Sequence, residues 1–470
     1  MAKVLFLQYF YMEQLGIMSL AAILKRAGNE CRVAIGQKDI IRQLRSWQPD
    51  VVGSTCYSGQ EEWLTKMFDE AKSINRDITT ITGGPGPSLE PQILDAQSVD
   101  IVCLGEGDRP MSELVNRLNQ RQDFSDVPNL WLKRNGKAVH NDVENLIEDL
   151  DSLPFPDREI YRPYPFIYNN PTKHILTSRG CLFNCSFCYN SKWSQIYKNK
   201  GKYLRLRSID NVIEELKSIK RNHDFSNFLF RDSNFLIKKD WVLEFLKRYK
   251  DEIHTPFYCN AIASLLDEEL VKALKDSGCF LLGFGVESGI ESYRMNILNK
   301  KVTDKQIHRA SDLLRRYGLP FYTTNMLGLP GEDLQAALKT IELNRKIRPT
   351  TSWYALYTPY PGEALTEYAK QNGYLKETRL SLKNSSSYNR SLLVQKDIRQ
   401  IENLQKFVYL ISVFPSFLRL AKVLIRLPFN FLYKVIHDIS YLVFFVRRCR
   451  RWTFGQLFKE SIVAAKYYKN

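Results

Sequence analysis

The chain has 470 residues, enough for two domains and an appendage, and 44% hydrophobic residues, which is ordinary for packed soluble cores. Its 67 Lys and Arg outnumber 51 Asp and Glu by 16, and that excess gathers near one end. Nine cysteines, an odd number without framework spacing, exclude a disulfide-stapled secreted scaffold and point to a reducing cytosol.

The N-terminal stretch Met1-Ala-Lys-Val-Leu-Phe-Leu-Gln runs straight into a predicted strand without an apolar signal core, so a cytoplasmic chain is expected. Periodicity over residues 1–125 predicts strands at Val4–Tyr9, Cys31–Ile35, Val51–Thr55, Thr79–Thr82 and Ile101–Leu104. Amphipathic helices are predicted around Leu20–Lys25, Ile40–Trp47, Glu62–Ile74 and Met111–Leu118. Such alternation favours a doubly wound parallel sheet with ligands at the carboxyl ends of its strands. Two small-residue loops fall there, Gly83-Gly84-Pro85-Gly86-Pro87-Ser88 and Gly105-Glu106-Gly107. They suit close approach of a flat or phosphorylated ligand, and tight turns explain them equally well. Of the three cysteines in this region, Cys56 ends a strand, Cys31 starts one and Cys103 lies within one. Opposite ends of a five-residue strand are ~17 Å apart, so these thiols are not expected to share a metal.

Residues 126–172 read as a join: a hairpin over Asn129–Val139 turning at Asn135-Gly136, then extended Leu153-Pro-Phe-Pro-Asp157 and Tyr161-Arg-Pro-Tyr-Pro165. A second αβ region spans 173–376. Its predicted strands are His174–Ser178, Asn227–Arg231, Phe257–Ala261, Leu281–Val286, Tyr322–Met326 and Trp353–Tyr357. Six strand–helix units are too few to close an eight-stranded barrel.

After the first of these strands comes Thr-Ser-Arg-Gly-Cys181-Leu-Phe-Asn-Cys185-Ser-Phe-Cys188-Tyr-Asn. Thiolates at these spacings cannot share one face of a helix or strand, whereas a loop pivoting at Gly180 can fold them around one soft metal centre. A closed zinc site wants a fourth Cys or His nearby, and none follows. Three thiolates on an iron–sulfur cubane leave one iron open for chemistry. These residues make the chain an enzyme.

From Leu404 to the C-terminus there are 12 Lys and Arg against Asp438 and Glu460 only, amid dense aromatic and aliphatic residues. The longest uncharged run, Phe407–Leu418, has twelve residues, well below the ~20 that cross a bilayer. Two readings stand: a basic helical segment lying on an anionic membrane surface, or a helical subdomain packed on the barrel. No RNA-binding signature is present, so nucleic acid is not an expected partner.

The cysteine loop with Phe187, together with Phe228-Leu-Phe-Arg-Asp-Ser-Asn-Phe235, Gly283-Phe-Gly-Val-Glu-Ser-Gly289, Asn325-Met-Leu-Gly-Leu-Pro-Gly-Glu332 and Tyr357-Thr-Pro-Tyr-Pro-Gly362, resembles the radical S-adenosylmethionine (SAM) enzymes that carry an N-terminal cobalamin-binding domain. The likeness runs from about residue 3 to about residue 376. It implies a Rossmann- or flavodoxin-like cobalamin domain, a partial (β/α)6 TIM-like barrel with its site at the C-terminal mouth, and then the basic helical region, 377–470. It also implies a 4Fe-4S cluster on Cys181, Cys185 and Cys188, SAM chelated by the fourth iron, and reduction by a donor such as flavodoxin or ferredoxin. Asp232, Glu287 and Asn325 would reach polar parts of SAM, with a cap after a strand and a buried ion pair as the plain alternatives for the first two. Gly328 and Pro330 would shape the adenosine pocket, Phe187 pack near adenine, and Lys300 face the SAM carboxylate. Leu15, Gly16, Gly83, Gly84, Gly105 and Glu106 would border cobalamin.

One departure is plain: no histidine precedes His140, so the Asp-x-His-x-x-Gly signature that ligates cobalt from below is absent, as in many of this subgroup. The implied activity is C-methylation of an unactivated carbon in a small molecule or lipid. Rearrangement or ring closure with the same cofactors is the alternative. A methylthiotransferase acting on RNA or protein fits less well, because Cys31, Cys56 and Cys103 do not gather and the tail has no small β-barrel.

Overall fold

The computed structural model describes residues 1–134, 137–375, 390–450, 453–455 and 457–458. The expected turn at Asn135-Gly136, the boundary at 376 and the chain from 459 onward lie outside the described residues. Two compact units emerge: Met1–His174 with Lys192–Phe225, and Ile175–Ser191 with the described residues from Ser226 onward.

The first unit contains β1 (Lys3–Gln8), α1 (Leu15–Arg26), β2 (Glu30–Ile35), α2 (Gln37–Trp47), β3 (Val51–Thr55), α3 (Glu61–Ile74), β4 (Thr79–Gly83), α4 (Pro85–Leu89), β5 (Ile101–Cys103) and α5 (Asp108–Gln120). A hairpin, β6 (Leu130–Arg134) and β7 (Lys137–His140), and the one-turn α6 (Pro165–Tyr168) follow. The sheet order is β2-β1-β3-β4-β5-β6-β7, with β1 to β5 parallel and the hairpin antiparallel. The order reverses between β1 and β3, the switch point where doubly wound sheets open a ligand crevice.

Strand β1 is buried on both faces and shows how the layers form. Val4 and Phe6 join the core under α1 and α5, while Leu5 and Leu7 join the core under α2 and α3. Cys31 and Cys103 lie in the first of these cores and Cys56 in the second, so a sheet separates them. Val127, Leu130, Leu132, Ile160, Tyr161 and Ile167 complete the first core, which draws the hairpin and the linker onto this unit.

Further along the chain come β8 (Thr172–Ile175), β9 (Ser178–Arg179), α7 (Tyr189–Ile196), β10 (Arg205–Leu206), α8 (Ile209–Asn222), β11 (Asn227–Phe230), α9 (Lys239–Glu252), β12 (Phe257–Ala261) and α10 (Glu268–Asp276). Next are β13 (Cys279–Glu287), α11 (Glu291–Asn296), α12 (Asp304–Arg316), β14 (Phe321–Leu327), α13 (Leu334–Ile347), β15 (Thr351–Leu356) and α14 (Ala364–Gln371). The six-stranded sheet runs β15-β14-β13-β12-β11-β8, parallel from β11 to β15 and open at β8 and β15: a partial TIM-like barrel. The strand expected at His174–Ser178 is divided, since β8 ends at Ile175 and Ser178 begins β9. Side-chain caps start the helices: Asp267 for α10, Asp333 for α13, and a Thr303–Gln306 capping box for α12.

The last helices are α15 (Ile398–Val413), α16 (Phe417–Leu424), α17 (Asn430–Ser440), a π-helical turn at Tyr441–Val446 and α18 (Arg447–Arg450). Ile401, Leu404, Phe407 and Val408 of α15 pack with Leu327, Leu338, Ile341, Tyr354 and Leu356, and Gln405 Nε2 donates to the Tyr354 carbonyl at 3.0 Å. This helix covers the open β15 edge, which would otherwise expose unpaired backbone groups. Among the described residues no helix is long and apolar enough to cross a membrane.

Candidate functional site

The loop after β8 and β9 turns at Gly180, whose φ of 91° only glycine adopts readily. Cys181, Cys185 and Cys188 follow, all free and half-buried. Backbone bonds hold the loop on both sides: Ser186 N–H donates to the Leu298 carbonyl at 3.0 Å, and Leu365 N–H donates to the Ser186 carbonyl at 2.8 Å. Ser186 Oγ adds a bond to the Ile297 carbonyl at 2.7 Å, and Asn299 Nδ2 one to the Asn184 carbonyl at 2.7 Å. Burial pushes all three thiols up, that of Cys185 to about 11, while the positive charge of Lys300 favours the thiolates of Cys181 and Cys185. Among the described residues no three His, Cys, Asp or Glu groups already stand at metal-holding distance. The donor set itself, three thiols on one tethered loop beside a lysine, fits a thiolate-held iron–sulfur cluster.

Glu287 ends β13 with φ 64° and pairs with Lys300 at 2.8 Å; both side chains are nearly buried. Lys300 Nζ also stands 6.0 Å over the Phe187 ring, and Thr324 Oγ1 donates to Glu287 at 3.3 Å. A Cβ on Gly285 would overlap both Glu287 and Lys300, so glycine there makes room for the pair. Phe187 packs in one cluster with Leu298, Leu329, Met326 and Tyr357. Phe187, Glu287 and Lys300 are therefore brought together beside the cysteine loop. Glu287 is indeed a buried ion-pair partner, and that partner is itself a candidate site residue.

Asp232 is buried and caps no helix. Its Oδ1 accepts from Thr177 N–H at 3.0 Å, Thr177 Oγ1 at 2.9 Å and Ser178 Oγ at 2.5 Å, fastening the end of β11 to the segment that leads into the cysteine loop. Burial raises this carboxyl and those bonds oppose the rise. Asn325 requires correction. It is fully buried, accepts from Asn344 of α13 at 2.6 Å and donates to the Trp353 carbonyl at 3.1 Å, so it faces the helix layer. Strand alternation instead points Tyr322 and Thr324 the other way, with Tyr322 bonded to Asn260 and Thr324 to Glu287.

Gly328 and Pro330 lie in the loop after β14. The buried Glu332 carboxylate organises this loop by accepting from Gly328 N–H and from Leu329 N–H at 3.1 Å, and burial lifts its carboxyl to about 8. Glu363, just before α14, is likewise buried, raised to about 8, and close enough to disfavour the Cys188 thiolate. Sequence reasoning quoted Glu332 only as part of a motif and missed Glu363, Thr324, Tyr322 and Asn260.

In the first unit the crevice edge divides in two. Gly16 has nothing within 4 Å of a built Cβ, and Leu15 beside it packs into the core. Tyr9, Phe10, Tyr57 and Trp63 form a chain of ring contacts 5.0–6.2 Å apart after β1 and β3. The other glycines meet protein instead. A Cβ on Gly83 would stand 3.2 Å from the Cys103 carbonyl and one on Gly84 2.8 Å from Thr55, while at Gly105 it would overlap Tyr197. Tyr197 Oη also accepts from Glu106 N–H at 2.6 Å and from Asn129 Nδ2 at 3.2 Å, and Arg205 pairs with the Glu106 carboxylate at 3.1 Å. Gly105 and Glu106 thus serve packing within this unit, whereas the side of the crevice edge at Gly16 is open. The thiols of Cys31, Cys56 and Cys103 are all buried and pushed up by burial, those of Cys31 and Cys103 to about 12.

Two family models match the chain: a B12 binding domain over residues 4–115 and the radical SAM superfamily over 175–343. An uncharacterized methyltransferase of Pyrococcus horikoshii is 28% identical over 341 residues, covering 72% of this chain and 73% of that protein. The anaerobic magnesium-protoporphyrin IX monomethyl ester cyclase of Rubrivivax gelatinosus is 27% identical over 339 residues, 70% of this chain and 60% of the cyclase. The solved structure of the radical SAM methyltransferase TsrM from Kitasatospora setae, with tryptophan substrate and a SAM analogue bound, aligns at TM-score 0.66 and 18% identity over 80% of this chain and 77% of its own. At that identity the likeness is one of fold.

Proposed function

We propose, because the chain belongs to the radical SAM enzymes that carry an N-terminal B12-binding domain, that it C-methylates an unactivated carbon of a small-molecule or lipid substrate. Its cofactors are a 4Fe-4S cluster, SAM and cobalamin. When bound, the cluster supplies the electron that cleaves SAM reductively and cobalamin supplies the methyl group. In this reading Cys181, Cys185 and Cys188 would hold the cluster. Glu287 and Lys300 would orient the polar end of SAM, and Phe187, Gly328 and Pro330 would flank its adenosine. Leu15 and Gly16 would border cobalamin on the open side of its crevice, with Gly83, Gly84, Gly105 and Glu106 shaping the packed side. We assign 1–125 to cobalamin binding, 126–172 to the join, 173–376 to catalysis and 377–470 to the helical C-terminal region. The enzyme would be cytoplasmic, reduced by flavodoxin or ferredoxin, and set against an anionic membrane surface by its last helices.

The observation that supports this reading is the meeting of the three-thiol loop with the Glu287–Lys300 pair and Phe187 in one barrel. The cyclase relative favours a second reading, ring closure with the same cofactors. Anaerobic turnover with methyl-labelled SAM separates them. Methyl transfer predicts S-adenosylhomocysteine beside 5′-deoxyadenosine, with label entering the small-molecule or lipid fraction. Ring closure predicts deoxyadenosine alone and no transferred label.

A further inference from the structure

The C-terminal helices divide into a part that packs on the barrel and a part that does not. On α16 and its C-terminal turn Leu418, Ala421 and Ile425 point inward, and on α17 so do Tyr433, His437 and Ser440. The outer face carries Leu420, Val423 and Leu427 in a stripe three and four residues apart, then Phe431, Leu432, Val435 and Ile439 on α17. Their exposure runs from 38% at Leu427 to 83% at Phe431. Exposed apolar residues scattered singly need no explanation, but two consecutive helices lined with them form a surface that no described residue covers. Beside the first stripe, at the same spacing, stand the exposed Arg419, Lys422 and Arg426. No Asp or Glu occurs from residue 403 to residue 437. A merely solvated face mixes both signs; on this one every charge before Asp438, near the end of α17, is cationic.

Next to Phe431 lies a depression of about 430 Å³ lined by Arg390, Arg399, Glu402, Lys406 and Lys434, with Asn403 and Asn430. Its one lining carboxylate, Glu402, accepts from Ser391 N–H at 2.8 Å, and Lys434 pairs with Asp438 at 2.6 Å. Arg390 and Arg399 are exposed and enter no ion pair among the described residues. Lys406 is buried at the base, where burial holds its ammonium down to about 8, so an anion beside it would favour the charged form.

We propose that α16 and α17 dock the enzyme on an anionic phospholipid surface, with Leu420, Val423, Phe431 and Val435 entering the acyl boundary and a lipid phosphate received between Arg390, Arg399 and Lys434. The charge selects an anionic partner. A symmetric pairing with a second copy would bring the Arg419, Lys422 and Arg426 rows together, like against like. The exposed side chains are mainly aliphatic, which suits lipid and offers little for bases to stack on. At 11 residues α17 is far too short to span, so the helices lie on the surface. This inference deepens the membrane part of the proposed function and is independent of methyl transfer.

The test is co-sedimentation of the full-length, cluster-loaded enzyme with vesicles of phosphatidylcholine alone or mixed with phosphatidylglycerol. Binding should require phosphatidylglycerol. The double variant Arg390→Gln/Arg399→Gln should bind roughly 10- to 30-fold more weakly, as expected when two charges leave the surface. Val423→Ser/Phe431→Ser should keep the salt-sensitive attraction but lose the fraction that survives 1 M salt. Reductive SAM cleavage in vesicle-free buffer should be the same in both variants and the parent, so loss of docking and failure of the proposed chemistry are read separately. Equal binding to neutral and anionic vesicles, or none to either, overturns the proposal. So does a concentration-dependent dimer that Val423→Ser/Phe431→Ser dissolves, or retention on RNA without retention on vesicles.

Discussion

Replacing Glu332 by Gln should reverse its effect on stability across neutral pH. The carboxyl is buried after β14, accepts from two backbone N–H groups through Oε2, and leaves Oε1 buried without a partner. Burial lifts it from 4.5 to about 8. A carboxyl raised in the folded state contributes most below its unfolded value, and the contribution drains away as pH climbs from 4.5 toward 8. At ~1.4 kcal/mol per pKa unit, that rise corresponds to about 4–5 kcal/mol lost by the native protein between pH 5 and pH 9. Gln keeps an acceptor for Gly328 and Leu329 but buries an NH2 where Oε1 has no partner, a pH-independent cost of about 1–3 kcal/mol. The variant should therefore be the less stable protein at pH 5 and the more stable one at pH 8.5 to 9. For a unit of this size 1 kcal/mol moves Tm by about 2–4 °C, so the reversal lies well within reach of calorimetry on matched cluster-loaded preparations. A Tm difference that stays constant from pH 5 to pH 9 would refute the reasoning, because it would mean that Glu332 is already ionised in the folded chain.

Cys181→Ala, Cys185→Ala or Cys188→Ala should each abolish the iron–sulfur absorbance of anaerobically reconstituted protein and all SAM cleavage, whereas Cys279→Ala, in the barrel core, should spare both; a fully loaded, active Cys185→Ala enzyme would sink the assignment. Asn325→Ala should destabilise the fold by about 2–3 kcal/mol by stranding Asn344 in the helix layer, with SAM affinity measured by equilibrium dialysis unchanged. Thr324→Val should show the opposite pattern, near-native stability with weakened SAM binding, since it removes a bond to Glu287 on the barrel side. Paramagnetic resonance of the cob(II)alamin-loaded protein should lack nitrogen superhyperfine splitting from a protein imidazole, and its presence would contradict the reading of the histidine-free first 139 residues.

The fold was largely legible because both sheets are built from short apolar strands set between amphipathic helices, a pattern written locally. Predicted and observed strands differ by a residue or two, as Cys31–Ile35 does from Glu30–Ile35, because pairing with β1 recruits a flanking residue that hydropathy alone leaves out. The hairpin was visible as a hairpin, yet its partner was not: Leu130 and Leu132 turn into a core that reaches back to Ala2 and Val4, well over 100 positions away, and that choice is made by packing. The sequence of the tail fits either a membrane surface or a cap on the barrel. The difficulty was that both kinds of helix are apolar and basic. What separates α15 from α16 and α17 is an uncovered edge at β15, a property of the sheet rather than of the helices.

The site was legible to the extent that its chemistry is contiguous. Three cysteines within eight residues announce themselves, and Glu287 and Lys300, 13 apart, were each identifiable although their pairing was not. Asn325 shows where such reading fails. In Phe321–Leu327, sequence Phe-Tyr-Thr-Thr-Asn-Met-Leu, polar and apolar residues do not alternate, because the barrel side of β14 must carry polar groups and the helix side holds a hydrogen-bonded Asn325–Asn344 pair. With both faces partly polar, hydropathy cannot fix the parity of the strand, and a one-residue error carries a side chain to the opposite face. Tyr197 and Arg205 were beyond reach for another reason. They meet Gly105 and Glu106 across more than 90 residues of chain, and a glycine loop at a strand end reads the same whether a cofactor or a tyrosine fills it. That ambiguity is physical: Gly105 marks only that something must come close, and here the Tyr197 hydroxyl does.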